Sequence, residues 1–115
     1  MRTVPVLPKK IETIEAGSYF QVPYLSRDRA LALEALTTLR YRIDNLSDGE
    51  VVTDWTNVSS PGSSGTITIP GSTNVISRSW RNRQINQVTL EKTTATGVIQ
   101  ETVVYEIAAV TQGAA

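Results

Sequence analysis

The 115-residue chain contains no cysteine and no histidine. Without cysteine it can form no disulfide, no thiolate nucleophile and no zinc–sulfur site. Without histidine it lacks the commonest general base, the commonest transition-metal ligand and the usual pH switch near neutrality. Together these absences exclude most small enzymes and metalloproteins. We therefore expect a protein that is not an enzyme, with no catalytic residues, no bound metal and no cofactor.

Excess charge and long hydrophobic runs are also missing. Eleven basic residues offset eleven acidic ones, so the net charge is zero, which argues against nucleic acid as a partner because such proteins must neutralise phosphates. No stretch approaches the roughly 20 apolar residues of a membrane-spanning helix. Met1 is followed at once by Arg2 and a proline-spaced segment rather than by a signal peptide. We expect a single folded domain, made in the cytoplasm, with no membrane partner.

A β-hairpin over residues 37–55 is the clearest pattern in the sequence. Leu39 and Ile43 belong to a run in which bulky and polar residues alternate, which gives a strand with one apolar face. Turn-prone residues at 48–49 follow, and a second β-rich run ends at Trp55. We expect Trp55 to fill the core. Because a lone hairpin is marginal in water, the rest of the chain must supply more strands.

Short β-rich runs recur at intervals of roughly eight to twelve residues, which predicts an all-β antiparallel sandwich of about seven strands. Pro23 cannot donate a ladder hydrogen bond, so either its strand lies at an edge or the proline lies on the solvent side of the strand. Residues 30–36 have the helix propensity for a short helix, but their Ala/Leu alternation also suits a strand, and we expect an extended or irregular connection. We expect a sandwich domain over residues 11–110 and a C-terminal tail over residues 111–115.

An extended N-terminal arm is predicted over residues 1–10. Two prolines favour an extended conformation there. Its apolar side chains need a partner, and we expect that partner to be a neighbouring subunit. The predicted interface residues of the arm are Val4, Val6 and Leu7.

A second candidate interface lies in the predicted connection between the fifth and sixth strands. Arginine and tryptophan together are typical of protein interfaces. Two other interpretations remain open: a solvated loop whose tryptophan covers one end of the sandwich, and contact with phosphates and bases. The residues concerned are Arg78, Trp80, Arg81 and Arg83.

The order of the strands resembles a known family of proteins. The runs that carry the resemblance are Ser18–Leu25, Leu39–Asp44, Val51–Trp55, Gly65–Pro70, Arg83–Leu90 and Thr102–Ile107. In this order the chain is similar to the small immunoglobulin-like β-sandwich structural proteins of tailed bacteriophage virions. It also resembles the N-terminal sandwich of phage baseplate upper proteins.

The resemblance implies an immunoglobulin-like sandwich with a non-catalytic structural role. The protein would assemble by symmetric contacts as a homo-oligomer, at the head–tail neck, in the tail or on the capsid surface. Its partners would be a portal or neck protein, a tail protein or the major capsid protein. Its location would be the virion, which is assembled in the host cytoplasm.

A second hypothesis is a recognition module that binds carbohydrate or a protein through loops at one end of the sandwich. Aromatic rings exposed on such loops stack on sugars and pack into protein interfaces. The candidate stacking residues are Tyr19, Tyr24 and Trp80.

Overall fold

A computed structural model describes residues 11–109 of the chain. These residues form seven strands and no helix, which confirms the predicted all-β fold. The strands are β1 (Glu12–Glu15), β2 (Phe20–Leu25), β3 (Thr38–Asn45), β4 (Glu50–Asn57), β5 (Ser64–Ile69), β6 (Arg83–Thr94) and β7 (Gly97–Ala108). The predicted arm and C-terminal tail lie outside the described residues.

The seven strands form two sheets of unequal size. The larger sheet has the order β1-β7-β6-β3-β4, and the smaller one pairs β2 with β5. Every neighbouring pair is antiparallel except β1 and β7, which run parallel. Both strands of a two-stranded sheet are edges, so the first alternative for Pro23, a place in an edge strand, is confirmed.

The core lies between the two sheets and is built from alternate side chains of their strands. On β2, Phe20, Val22 and Tyr24 are buried while the residues between them are exposed. The ring of Phe20 stacks on Tyr105 of the larger sheet, with the ring centroids 4.1 Å apart. Burying one large apolar side chain contributes about 1.5–3 kcal/mol. The remaining core residues are Leu36, Leu39, Ile43, Ile67, Ile69, Val88, Leu90 and Ile107.

Trp55 does not fill the core, and that prediction was wrong. Tyr41, which packs against the core, lies opposite Thr56 in the β3–β4 pair. Because neighbouring side chains of a strand point to opposite faces, Trp55 turns to the other face of the sheet. There the guanidinium carbon of Arg40 lies 4.2 Å from the centre of its ring.

Residues 30–36 form an irregular connection, which confirms the expectation of an extended or irregular segment rather than a helix. The Oδ1 atom of Asp28 accepts hydrogen bonds from the backbone N–H groups of Ala30 and Ala32, which fixes the turn. Leu36 at the end of this segment is buried, whereas Leu31 is 72% exposed. The connection therefore ends in the core but presents apolar surface to solvent on the way.

Candidate protein-interaction surfaces

Arg81, one of the predicted interface residues, is bound within its own chain. Its Nη2 and Nε atoms donate to Oδ1 of Asp48 at 2.8 and 3.0 Å, and Nη2 also donates to the carbonyl of Ser47 at 3.2 Å. Asp48 lies in the β3–β4 turn, where its other carboxylate oxygen accepts from Asn45 at 2.9 Å. The hydrogen bond from Arg81 is the main reason that the pKa of Asp48 is lowered below its ordinary value.

The other two arginines of the predicted interface, Arg78 in the connection and Arg83 at the start of β6, are also paired within the chain. Arg78 forms an ion pair with Glu50 of β4, and Arg83 forms one with Glu106 of β7 at 2.5 Å. Because all three guanidinium groups face carboxylates of the same molecule, little positive charge is left for phosphates. The ion pairs therefore argue against the interpretation of these arginines as phosphate contacts.

Trp80 is the member of this group that presents apolar surface. Its side chain is 69% exposed, and the guanidinium carbon of Arg81 lies 4.6 Å from the centre of its ring. Arg81 is itself fixed by Asp48, so the indole rests on an anchored group. A large aromatic side chain held in this way loses little conformational entropy on binding, which is typical of interface anchors.

A buried polar network holds the connection that carries Trp80 against the larger sheet. It begins at Ser77, whose backbone N–H donates to Gln84 Oε1 at 2.9 Å, and Gln84 donates in turn to Asn86 at 2.8 Å. The network continues through Tyr105 to Asn74. Sequence analysis missed it. The available signal was that Gln84 and Asn86 occupy the same alternating positions of β6 as the apolar core residues.

Large exposed apolar side chains gather at two opposite ends of the larger sheet. Asn45 pairs with Asn86 and Thr38 with Thr93, so the β3–β4 turn and the β6–β7 turn lie at opposite ends. We call these the β3–β4 end and the β6–β7 end. The first presents Leu46, Val51, Val75 and Trp80, and the second presents Leu25, Leu31, Leu33, Val98 and Ile99.

A groove of about 1100 Å³ lies at the β6–β7 end, between the β6–β7 hairpin and the connection after β2. Lys92 of β6 lines it and is only 6% exposed. Its ammonium group donates to the carbonyl of Leu25 at 2.9 Å and to the carboxylate of Glu101 at 2.5 Å. The buried lysine is therefore neutralised by its own chain, and the exposed side chains of Val98 and Ile99 give the groove an apolar wall.

The aromatic residues proposed for a recognition module do not all reach solvent. Tyr24 is 9% exposed and its hydroxyl donates to the carbonyl of Pro61 at 2.8 Å, so it cannot stack on a ligand and that prediction was wrong. Tyr19 is 64% exposed and lines a shallow groove of about 570 Å³ with Glu12 and Gln21. Only Tyr19 and Trp80 of the three remain available.

Three further observations bear on the sequence predictions. Within residues 11–109, no group of three or more acidic side chains is placed to hold a metal ion. The same part of the chain has no helix that is long and apolar enough to cross a membrane. The predicted interface residues Val4, Val6 and Leu7 lie outside the described residues.

Comparison of the chain with protein-family models, with curated proteins and with solved structures gave no match.

Proposed function

We propose that this chain is a non-catalytic structural protein of a tailed-phage virion. It assembles by symmetric protein–protein contacts as a homo-oligomer at the head–tail neck, in the tail or on the capsid surface. Portal, neck, tail or major capsid proteins are its partners, and it is incorporated in the host cytoplasm. The strand order and the immunoglobulin-like type of sandwich, both taken from the resemblance, provide the virion setting of this proposal.

The placement of exposed apolar side chains is the observation that carries the assembly role. Among the described residues, nine of the eleven large exposed apolar residues lie at the β3–β4 end or at the β6–β7 end, and the other two are Ile11 and Tyr19. Exposed apolar patches on a small domain mark protein-interaction sites. A subunit with two such ends can contact one neighbour with each, which is the arrangement found in rings and shells.

The internal pairing of the arginines supports the same conclusion. Arg78, Arg81 and Arg83 each pair with a carboxylate of their own chain, and Arg81 also lies against the ring of Trp80. With the guanidinium groups already neutralised, the β3–β4 end offers an apolar anchor with a polar rim. This is the usual composition of a protein interface. The predicted arm would add contacts to a neighbouring subunit and so raise the overall avidity.

The first test is the mass of the purified full chain by light scattering over a wide concentration range. We expect a discrete symmetric oligomer, which Trp80→Ala and deletion of residues 1–10 should each weaken without unfolding the sandwich. Thr68→Ala, at an exposed position of β5 away from both ends, is the matched control. A chain that stays monomeric at every concentration would contradict self-assembly, and unchanged assembly without residues 1–10 would contradict the role of the arm.

The genomic setting tests the virion part of the proposal separately. We expect terminase, portal and capsid genes beside the coding sequence. A coding sequence surrounded by genes unrelated to virion assembly would contradict the phage setting while leaving the assembly role intact.

A second candidate function is a recognition module for carbohydrate or for a protein. The observation that favours it is the groove beside Tyr19, which combines an exposed aromatic ring with the polar groups of Glu12 and Gln21. Aromatic stacking and a few hydrogen bonds are enough for a sugar site. Glycan-array binding by the monomer that is lost in Tyr19→Ala, but kept in Trp80→Ala, would favour this function over assembly.

A further inference from the structure

Within residues 11–109, the outer edge of β7 is only partly paired with another strand. The strand runs from Gly97 to Ala108, but β1 pairs with it only from Tyr105 to Ala108. On the other side β6 pairs with it along its whole length. Among residues 11–109, no strand pairs with the outer edge of residues 97–104. A strand edge of this length with unpaired backbone groups is a template for another strand.

The direction of the backbone groups along this edge follows from two hydrogen bonds. The carbonyl of Ala108 accepts from Ala16 on the outer side, whereas the N–H of Ala109 donates to Asn82 on the β6 side. Because the direction alternates along a strand, even-numbered residues of β7 direct their N–H and C=O groups to the open edge. In the uncovered half these include Val98, Gln100 and Thr102.

The side chains in the unpaired part of β7 are also exposed to solvent. All six residues from 97 to 102 are exposed, with Val98 at 60% and Ile99 at 55%. Glu101 carries the only charge between 97 and 104 and is paired with Lys92 of its own chain. The edge has no proline and no lysine, the residues that usually prevent strands from pairing edge to edge.

We propose that this edge is the interface with a second copy of the chain, and that the two β7 strands pair antiparallel with Gln100 facing Gln100 of the second copy. The inference rests on the proposed function, because it assigns one of the symmetric contacts of assembly. A two-fold contact of this kind uses the same surface on both copies. It joins the two larger sheets into one continuous sheet through backbone hydrogen bonds.

The register follows from the hydrogen-bond pattern and from β1. Even-numbered residues must face even-numbered residues, so the two-fold axis passes through one residue of β7 and its copy. An axis at Glu101 would place two like charges opposite each other, which is destabilising. It would also place Gly97 of the second copy opposite Tyr105, where Glu12 of β1 already lies.

An axis at Gln100 avoids both conflicts. It places Gly97 of the second copy opposite Val103, so the β6–β7 turn of that copy stops before β1 begins. Val98 then faces Thr102 of the second copy, and Ile99 faces Glu101. With an axis at Thr102, the second copy would overlap β1 over more residues. With an axis at Val98, fewer residues of the two β7 strands would pair. Of these registers, the one centred on Gln100 is the longest pairing that fits.

The absence of native cysteine permits a direct test by disulfide formation. In the full chain, Gln100→Cys places two thiols across the axis, at the Cα separation of about 5.5 Å of a hydrogen-bonded antiparallel pair. Disulfides form at Cα separations up to about 7 Å. The matched control is Thr102→Cys on the same edge, whose two copies would lie four residues apart along the strands, about 13 Å.

We expect mild oxidation to give at least roughly tenfold more covalent dimer from Gln100→Cys than from Thr102→Cys. A mixture of Val98→Cys and Thr102→Cys chains should form the mixed dimer. Equal cross-linking at positions 100 and 102 would overturn the inference. So would cross-linking of Gln100→Cys that appears only after residues 1–10 are deleted, because the arm would then occupy the edge in the full chain.

Light scattering on the unmodified chain separates the two ways in which the test can fail. A protein that forms a discrete oligomer but does not cross-link at position 100 would support the proposed function and contradict the β7 interface. A protein that is monomeric at every concentration would contradict both the assembly role and the β7 interface.

Discussion

The hydroxyl of Tyr105 donates a hydrogen bond of 2.6 Å to Oδ1 of Asn74 and so ties the larger sheet to the connection that carries Trp80. The same hydroxyl accepts from Nδ2 of Asn86 at 3.3 Å. All three side chains are fully buried. Since this connection joins β5 of the smaller sheet to β6 of the larger one, the bond helps to fix the two layers of the sandwich together.

Tyr105→Phe should destabilise the fold by about 1–3 kcal/mol, because it keeps the ring but removes the hydroxyl that pairs with Oδ1 of Asn74 and Nδ2 of Asn86, two buried amide atoms. Urea unfolding followed by circular dichroism measures the change. Tyr19→Phe is the matched control, since that hydroxyl belongs to a ring that is 64% exposed, and it should change the free energy of unfolding by less than about 0.5 kcal/mol. Equal effects of the two substitutions would show that the buried hydrogen bonds of Tyr105 do not contribute to the free energy of unfolding.

Alkaline pH should destabilise the protein through the same residue. Burial raises the pKa of the Tyr105 phenol above its ordinary value. Above about pH 10 the unfolded chain releases this proton more readily than the folded chain, so the free energy of unfolding falls as the pH rises. Tyr105→Phe should show a weaker decline over this range. Parallel declines in the wild-type chain and the variant would contradict this assignment.

Acid should weaken the β3–β4 end through Asp48. Its pKa is lowered, chiefly by the hydrogen bond from Arg81. A depressed carboxyl pKa contributes stability above the ordinary pKa of the group, and that stability is lost as the pH falls through the lower folded value. We therefore expect Asp48→Asn to be less stable than the wild-type chain at neutral pH. The difference should begin to shrink below about pH 4, where the unfolded chain takes up this proton, and should be lost once the pH falls below the lowered pKa of the folded carboxyl group.

Thermal unfolding at a series of pH values measures this dependence. Glu15→Gln is the control, because Glu15 is exposed and forms no ion pair with any residue from 11 to 109. A difference between Asp48→Asn and the wild-type chain that stays constant from pH 7 to about pH 2 would rule out the ion pair as its source.

Gly71 allows two loops to approach each other at the start of the β5–β6 connection. A Cβ atom at this position would lie 2.0 Å from the carbonyl oxygen of Gly17, which is backbone and cannot turn aside. Gly71→Ala should therefore force the loops apart at a cost of about 1–3 kcal/mol. Chemical denaturation measures it, with the exposed neighbour Ser72→Ala as the control. A neutral Gly71→Ala would show that the loops separate freely.

The elements of the fold could be predicted where side-chain alternation decided the outcome. Leu39 and Ile43 marked the apolar face of β3, and Pro23 marked an edge strand, because each effect acts within one strand. Trp55 could not be placed in this way. Its face depends on which residue of β3 lies opposite it, and that is a property of the pairing rather than of either strand.

The candidate site was predictable in its residues but not in their roles. The sequence brought attention to Arg81 and Trp80 as a group, yet Arg81 binds Asp48, which lies 33 residues earlier in the chain. The apolar surface at Val98 and Ile99 was missed for a similar reason. Those residues are in a regular strand, and within residues 11–109 the pairing of β1 with β7 covers only Tyr105–Ala108, which the sequence of β7 alone does not reveal.

The contrast between Trp80 and Arg81 separates binding from stability at the β3–β4 end. Trp80→Ala should leave the free energy of unfolding within about 0.5 kcal/mol of the wild-type value, because it removes a side chain that is largely in water. It should nevertheless weaken self-association, measured by sedimentation. Arg81→Ala should lower the stability, because it leaves the carboxylate of Asp48 without its main partner. If Trp80→Ala unfolds the protein as readily as Arg81→Ala does, the indole is a structural element and not an interface anchor.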